Sequence, residues 1–359
     1  MNKIKVLFLI DWPKDEDFIL WKTMPGDKID FDVIGMKFPK GTSSPLMKSL
    51  LIWPRYILVG ILGFLKRKDY DIVVAWQQVE GLVFGFLKHL FNARSPRLLI
   101  MGLMYLKRST KISESLRFRF TKYALSSVDY IGCSNSRVIE KYANLFSFNI
   151  NKFGFIPSLL GIDRNPYFST EQEGDYVFSA GRSNRDYKTL FLAIKDLDMK
   201  LVVVAQPDNL KGLPIPPNVE TYYNVFGEKY LELLKKSRLI VIPLNDVEIS
   251  AGQIVLWQSL SMGKAVIITE SWAVMDYVED NKDVVFVKPH ESDELGEAIK
   301  DLMSNPEKRR QLGENAVNSL KTRFSWESFS NDLTLKIVNV CQGMCVDIEH
   351  KESKVSKNI

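Results

Sequence analysis

From residue 175 onward the chain alternates between two periods. Short apolar, β-branched runs, DYVFSAG, KLVVVAQ, RLIVIPL, AVIIT and DVVFVK, are separated by runs with helical spacing, YKTLFLAIKDL, GEKYLELLKKS, GQIVLWQSLSM and SDELGEAIKDLMS. Strands that are apolar throughout are buried on both faces, and helices between them make the crossover connections of parallel β-α-β units. The first half repeats the theme less cleanly, with IKVLFLI, FDVIGM, DIVVAW, RLLIMGL and VDYIGCS as its strands. The expectation is an α/β protein of two Rossmann-like domains facing a central cleft.

With 359 residues the chain is longer than one core usually serves, which agrees with two domains. The boundaries expected are a first domain over 1–160, a linker over 161–174, a second domain over 175–325, a terminal helix over 326–345 packing back on the first domain, and a flexible tail over 346–359. FGFIPSLLGIDRNPYFSTEQEGD, rich in Gly, Pro, Ser and acids, is the hinge. The tail carries the charged, non-periodic EHKESKVSKNI.

Charge divides unevenly. Residues 1–165 carry a net +11 and 166–359 a net −6 within the overall +5. LLIWPRYILVGILGF, interrupted by Pro54 and Arg55 and flanked by Lys48 and Lys66-Arg67-Lys68, is shorter than the roughly 20 apolar residues that span a bilayer. It reads either as a buried amphipathic helix with a solvated rim or as one lying in the interface of an anionic membrane. MNKIKVLFLIDWP has no small-residue cleavage site and reads as a first buried strand, so a cytoplasmic location, peripheral at the inner face of the cell membrane, is expected. The three cysteines, Cys133, Cys341 and Cys345, make neither a disulfide framework nor zinc spacing. The pairs Asp30/Asp32 and Asp196/Asp198 have a D-x-D form that can hold a divalent cation, but they fit a strand edge and a helix end, and no metal is expected.

Two stretches carry chemistry. In VFSAGRSNRDYKTL a strand ends at Ala180-Gly181, and Arg182 and Arg185 follow in a short loop before a helix begins near Asp186. Guanidinium groups at a strand's carboxyl end suit phosphate oxygens. In EISAGQIVLWQSLSMGKAVIITE a glycine-containing turn opens an apolar helix. Ser250 is the expected N-cap, with the amides of Ala251, Gly252 and Gln253 free to meet an anion in the helix dipole. Together the two features would hold a diphosphate.

Tyr176 to Phe329 resembles the donor domain of GT-B glycosyltransferases of the large retaining family 4, the glycosyl transferases group 1. The matching pieces are SAGRSNRDYKTLFLAI, GEKYLELLKKSRLIVIPL, AGQIVLWQSLSMGKAVIIT, the run from VMDYVED to QLGENA, and FSWESF. SSVDYIGCSNSRVIEKY and IPSLLGID resemble the family more weakly. The resemblance implies that Gly181, Arg182 and Arg185 face the donor diphosphate, with both arginines stabilising the leaving group without a metal. It implies that Asn224, Val225 and Phe226 meet the nucleotide base. Ser250 and Gln258 stand where the family has two glutamates. Gln258 keeps one carbonyl acceptor for ribose, and Glu248 lies near enough to substitute for the first.

In the first half, none of the three histidines, His89, His290 and His350, stands after RLLIMGL where family members often have one. Asp11 and Glu80, at strand ends facing the cleft, are the candidate base or acceptor contacts, and Gln77 the candidate for acceptor hydroxyls. The reading is a transferase moving a sugar from a nucleotide-diphosphate sugar, with UDP favoured, to a lipid-linked or polysaccharide acceptor. No cofactor and no nucleic-acid partner is expected. A sugar-nucleotide epimerase and a non-catalytic, glycosyltransferase-like binding protein stay open as alternatives.

Overall fold

The computed structural model describes residues 3–12, 18–36, 45–105, 111–159 and 174–344. Cys345, the 346–359 tail and most of the expected linker lie outside them. The described residues divide into two compact units, one drawn from Met1–Pro157 and Phe329–Ile359, the other from Ser158–Ser328.

In the first unit the elements run β1 (Ile4–Leu9), α1 (Ile19–Thr23), β2 (Ile29–Ile34), α2 (Pro45–Lys66), β3 (Ile72–Ala75), α3 (Gln78–Leu90), β4 (Arg97–Ile100), α4 (Lys111–Ser126), β5 (Tyr130–Cys133), α5 (Arg137–Phe146) and β6 (Phe153–Phe155). Its strands pair in parallel in the order β2-β1-β3-β4-β5-β6. β3 and β5 are wholly buried, as runs such as IVVA require when helices cover both faces. Helix α5 shows the complementary logic: Val138, Ile139, Tyr142, Ala143 and Phe146 recur on one side and are its buried residues.

The second unit runs β7 (Tyr176–Ala180), α6 (Tyr187–Ile194), β8 (Lys200–Ala205), α7 (Pro207–Leu210), β9 (Val219–Tyr223), α8 (Glu228–Lys236), β10 (Leu239–Ile242), α9 (Gln253–Ser261), β11 (Val266–Thr269), β12 (Val285–Val287), α10 (Ser292–Ser304) and α11 (Pro306–Arg323). Its sheet is parallel in the order β12-β11-β10-β7-β8-β9. Helix α9 buries Val255, Leu256, Trp257, Ser259, Leu260 and Ser261 and leaves Ile254 exposed near its start. Trp257 is fully buried in an aromatic group with Tyr277, at 4.9 Å, and Phe324, at 5.9 Å. The last helix, α12 (Trp326–Gln342), starts in the second unit. From Phe329 onward it belongs to the first, where Ser330 Oγ donates to Thr23 O at 2.9 Å and Phe329 meets Trp76 edge-on.

Two elements depart from the sequence reading. Phe153–Phe155, assigned above to the hinge, is β6, which adds to the sheet edge through the pairs Ile131/Phe153, Gly132/Gly154 and Cys133/Phe155. β9 is a strand the apolar pattern does not mark, because VETYY lies at the other sheet's edge and is only partly buried.

In each sheet the strand order reverses once, between β1 and β3 and between β7 and β10. A ligand crevice forms at such a switch point, outside the carboxyl ends of the strands.

Candidate functional site

The loop after β7 is built to hold its arginines differently. Gly181 has φ of +132°, and a side chain there would run into the Arg185 guanidinium, so glycine lets Arg185 fold back over the strand end. Arg185 Nε donates to Ala180 O at 2.9 Å and Nη1 to Ser183 O at 2.8 Å. Burial draws its pKa down from the usual arginine value, while Tyr187 and Tyr230 work against the shift. Arg182 is exposed, and no hydrogen bond commits its side chain among the described residues. Its backbone is pinned by Asn209 Nδ2 donating to Arg182 O at 2.8 Å. Both arginines therefore sit at the strand end, but one is braced and the other is available.

Asn184, in the left-handed region, ties this loop to the one after β10. Its Nδ2 donates to Asp246 O at 2.7 Å and its Oδ1 accepts from Asp246 N at 2.9 Å, while Arg185 bridges to Leu244. Asp186 caps α6, accepting from Thr189 N at 3.0 Å.

The start of α9 differs from expectation. The N-cap is Gly252, not Ser250, with φ of +89°, and as a glycine it offers the first turn no side-chain cap. The left-handed turn at Gly252 sets where the helix begins, and Leu256 N accordingly bonds Gly252 O as the first helical link. Ser250 lies too early in the chain to cap it and donates instead to Gln253 Oε1 at 3.2 Å. With the N-cap at Gly252, the first-turn amides are those of Gln253, Ile254 and Val255.

These parts enclose a cavity of about 560 Å³ in the second unit. Gly181, Arg182 and Arg185 line one side and Ser250, Ala251, Gly252 and Gln253 another. Asn224, Val225 and Phe226 close a third, with Phe226 67% exposed at the mouth. Gln258 lines it from the second turn of α9. Glu248 is not among the lining residues; its amide donates to Asp246 Oδ1 in the preceding turn. Fixed guanidinium charge beside an uncapped helix start, with an aromatic ring at the rim, is chemistry for a nucleoside diphosphate.

Tyr230 is a site residue that sequence reasoning missed. From α8 its hydroxyl donates to Gln258 Oε1 at 3.0 Å, so the carbonyl expected to be open to ribose already has one partner and keeps one lone pair. No local signal marks Tyr230, because its partner lies 28 residues away.

In the first unit Asp11 follows β1 and Gln77 and Glu80 follow β3, at that sheet's switch point. Glu80, expected at a cleft-facing strand end, is instead 0% exposed in the first turn of α3, and among the described residues no other residue bonds its carboxyl oxygens. Burial raises its pKa to about 8, its own backbone amide working against the shift and Asp11 adding to it. Asp11 accepts from Tyr56 Oη at 3.3 Å, and Tyr56 is itself pushed up to about 12 by burial and by Asp11. Gln77 is the half-buried N-cap of α3.

His89 lies in the same unit against Tyr123, with Nδ1 2.6 Å from Ser126 Oγ. The D-x-D pairs take structural positions, with Asp32 on β2 accepting from Tyr70 Oη at 2.9 Å and Asp196 beyond α6 facing Lys195.

Residues 169–319 match the model of the family described as glycosyl transferases group 1. The chain is 25% identical over 219 residues to the "Uncharacterized glycosyltransferase MJ1178" of Methanocaldococcus jannaschii, a match over 58% of this chain that spans only 59% of that relative's length. Among solved structures it is similar to sucrose-phosphate synthase from Thermosynechococcus elongatus, with a TM-score of 0.68 at 14% identity over 95% of this chain and 100% of that one. It is also similar to Anabaena HepE in complex with UDP-glucose, with a TM-score of 0.65 at 15% identity over 94% and 100%. Over residues 169–319 the chain is thus similar to the glycosyl transferases group 1, and the chain has the GT-B fold of these solved structures.

Proposed function

We propose that the protein transfers a hexosyl group from a UDP-sugar to a lipid-linked or polysaccharide acceptor in cell-surface glycan synthesis, at the inner face of the cell membrane. The observation that carries this reading is the convergence of Arg182, Arg185 and the uncapped start of α9 on one cavity. As the bond from the sugar's anomeric carbon to the β-phosphate breaks, negative charge builds on that phosphate. Fixed cations and amide dipoles already aimed there lower the barrier without reorganising. The acceptor oxygen forms the new bond to the anomeric carbon, and its proton passes to the departing phosphate. This route needs no protein base and keeps the anomeric configuration. The arginines and the helix start supply the positive charge that a divalent cation supplies elsewhere, so the transfer is metal-independent. HepE, whose structure holds UDP-glucose, supports UDP as the nucleotide.

In the first unit the acceptor is placed at the β1/β3 switch point, with Gln77 and Asp11 as its contacts and Glu80 behind them. The test is donor turnover across a panel of UDP- and GDP-sugars, with chelator present and with Arg182→Ala as control. Release of free nucleotide by the native protein, abolished by Arg182→Ala, is expected. Turnover unchanged in that variant overturns the assignment of the leaving-group site. A non-catalytic binding protein is the second reading, favoured by Gln258, whose carbonyl is engaged by Tyr230. It predicts nucleotide binding with no turnover.

A further inference from the structure

Helices α2, α3 and α4 lie side by side in the first unit and present an outer face that is apolar where a solvated face would be polar. On α2 the exposed positions Trp53, Ile57, Ile61 and Leu65 follow at four-residue spacing, with Leu58 beside them. Trp53 is 51% and Leu65 66% exposed. Leu90 and Phe91 at the end of α3 continue the face, Phe91 being 64% exposed, and Leu116, Phe120 and Tyr123 extend it along one side of α4. Ring contacts join the three helices: Phe64 stacks on Phe91 at 5.6 Å and Phe86 on Phe120 at 5.3 Å. An exposed apolar area continuous over three elements marks an interaction surface.

Charge identifies the occupant. α2 contains no acidic residue, the turn after it only Asp69, and α3 only the buried Glu80. The single acid of α4, Glu114, is engaged by Arg117 at 2.9 Å and by Tyr105 at 2.7 Å. Lys66 and Lys68 at one end and Arg119 and Lys122 on α4 are basic. Apolar side chains with a cationic border and almost no free carboxylate suit an anionic lipid surface, where the apolar groups enter the headgroup boundary and the cations meet phosphate.

We infer that the outer face of α2, α3 and α4 docks the protein on an anionic lipid bilayer. This deepens the proposed reading by naming the surface that meets the membrane, and it does not depend on the donor cavity.

The test is co-sedimentation of the full chain with vesicles of phosphatidylcholine alone and of phosphatidylcholine mixed with phosphatidylglycerol, with Trp53 fluorescence followed in parallel. Binding to the mixed vesicles only, weakening with salt, is expected, together with a blue shift that Trp53→Phe diminishes. Replacing Lys66, Lys68 and Arg119 together by Gln is expected to weaken partition roughly a hundredfold, at about a factor of five for each lost cation. Ile57→Asp with Leu65→Asp is expected to abolish it. All these positions are exposed, and UDP titration of each variant checks that the second unit is intact. Native protein that ignores the mixed vesicles, or variants that bind as the native protein does, overturn the inference. So does a concentration-dependent dimer lost in Leu65→Asp, because the face would then join two copies. Vesicle binding without UDP binding leaves the docking face standing and refutes the donor reading instead.

Discussion

Replacing Glu80 by Gln should remove a defined pH dependence from the stability of the first unit. A carboxyl group held at 0% exposure is costly to ionise, and its pKa rises from 4.5 to about 8, chiefly through burial and against the pull of its own backbone amide. Below pH 4.5 the folded and unfolded chains both hold this proton. Between 4.5 and 8 the unfolded chain loses it while the folded chain keeps it, so stability falls as pH rises, by about 1.4 kcal/mol per pH unit at most. Above 8 both forms are ionised and the loss levels off. From the two pKa values the loss between pH 5 and pH 7 is about 2.5 kcal/mol. The Glu80→Gln variant also buries an amide, so absolute stability is a poor readout, but the pH dependence of the difference between the two proteins isolates this proton. Urea unfolding at constant ionic strength, followed by circular dichroism at pH 5, 6 and 7, measures it. The native protein should lose about 2.5 kcal/mol relative to Glu80→Gln across that range. A difference flat to within about 0.5 kcal/mol, the usual limit of additivity, would mean that Glu80 is ionised when folded and would refute the reasoning.

The two arginines should separate. Arg182→Ala is expected to lower kcat by roughly 10² to 10³ with an unchanged melting temperature, as removal of one fixed donor to a charged transition state does. Arg185→Ala should lower kcat and also destabilise the second unit by about 1–3 kcal/mol, because Ala180 O and Ser183 O lose their donor; urea unfolding beside steady-state kinetics distinguishes the two variants. Gly252→Ala forces a side chain into φ of +89° and should destabilise by about 1–2 kcal/mol while weakening UDP binding. Phe226→Ala, at an exposed position, should weaken UDP about tenfold or more in a calorimetric titration, as loss of an aromatic platform for a base does, and leave thermal unfolding unchanged.

Most of the fold is legible because burial on both faces writes itself into composition: VVVA of β8 and LIVI of β10 are apolar without interruption. The sheet edges are not legible for the same reason. VETYY mixes polar and aromatic residues, and the three residues of β6 include a glycine, so neither carries the central-strand signal. At the site, the arginines are readable from their place at a strand's carboxyl end, which is fixed by local sequence. Which guanidinium is free is not readable, because that depends on carbonyls brought close by the backbone reversal at Gly181. Ser250 is a reasonable cap by residue type, but the left-handed turn at Gly252 decides where α9 starts. The buried state of Glu80 and the Tyr230–Gln258 bond arise from packing between separate elements, and no spacing encodes them.

In the proposed reading the second unit's cavity binds a nucleoside diphosphate through Arg182 and the start of α9. Calorimetric titration of the full chain with UDP, without divalent metal, tests it most directly, with GDP and Arg182→Ala as comparisons. Saturable binding of UDP in preference to GDP, lost or greatly weakened in the variant, is the expected result. Binding of neither nucleotide, or equal binding by the native protein and Arg182→Ala, would contradict it.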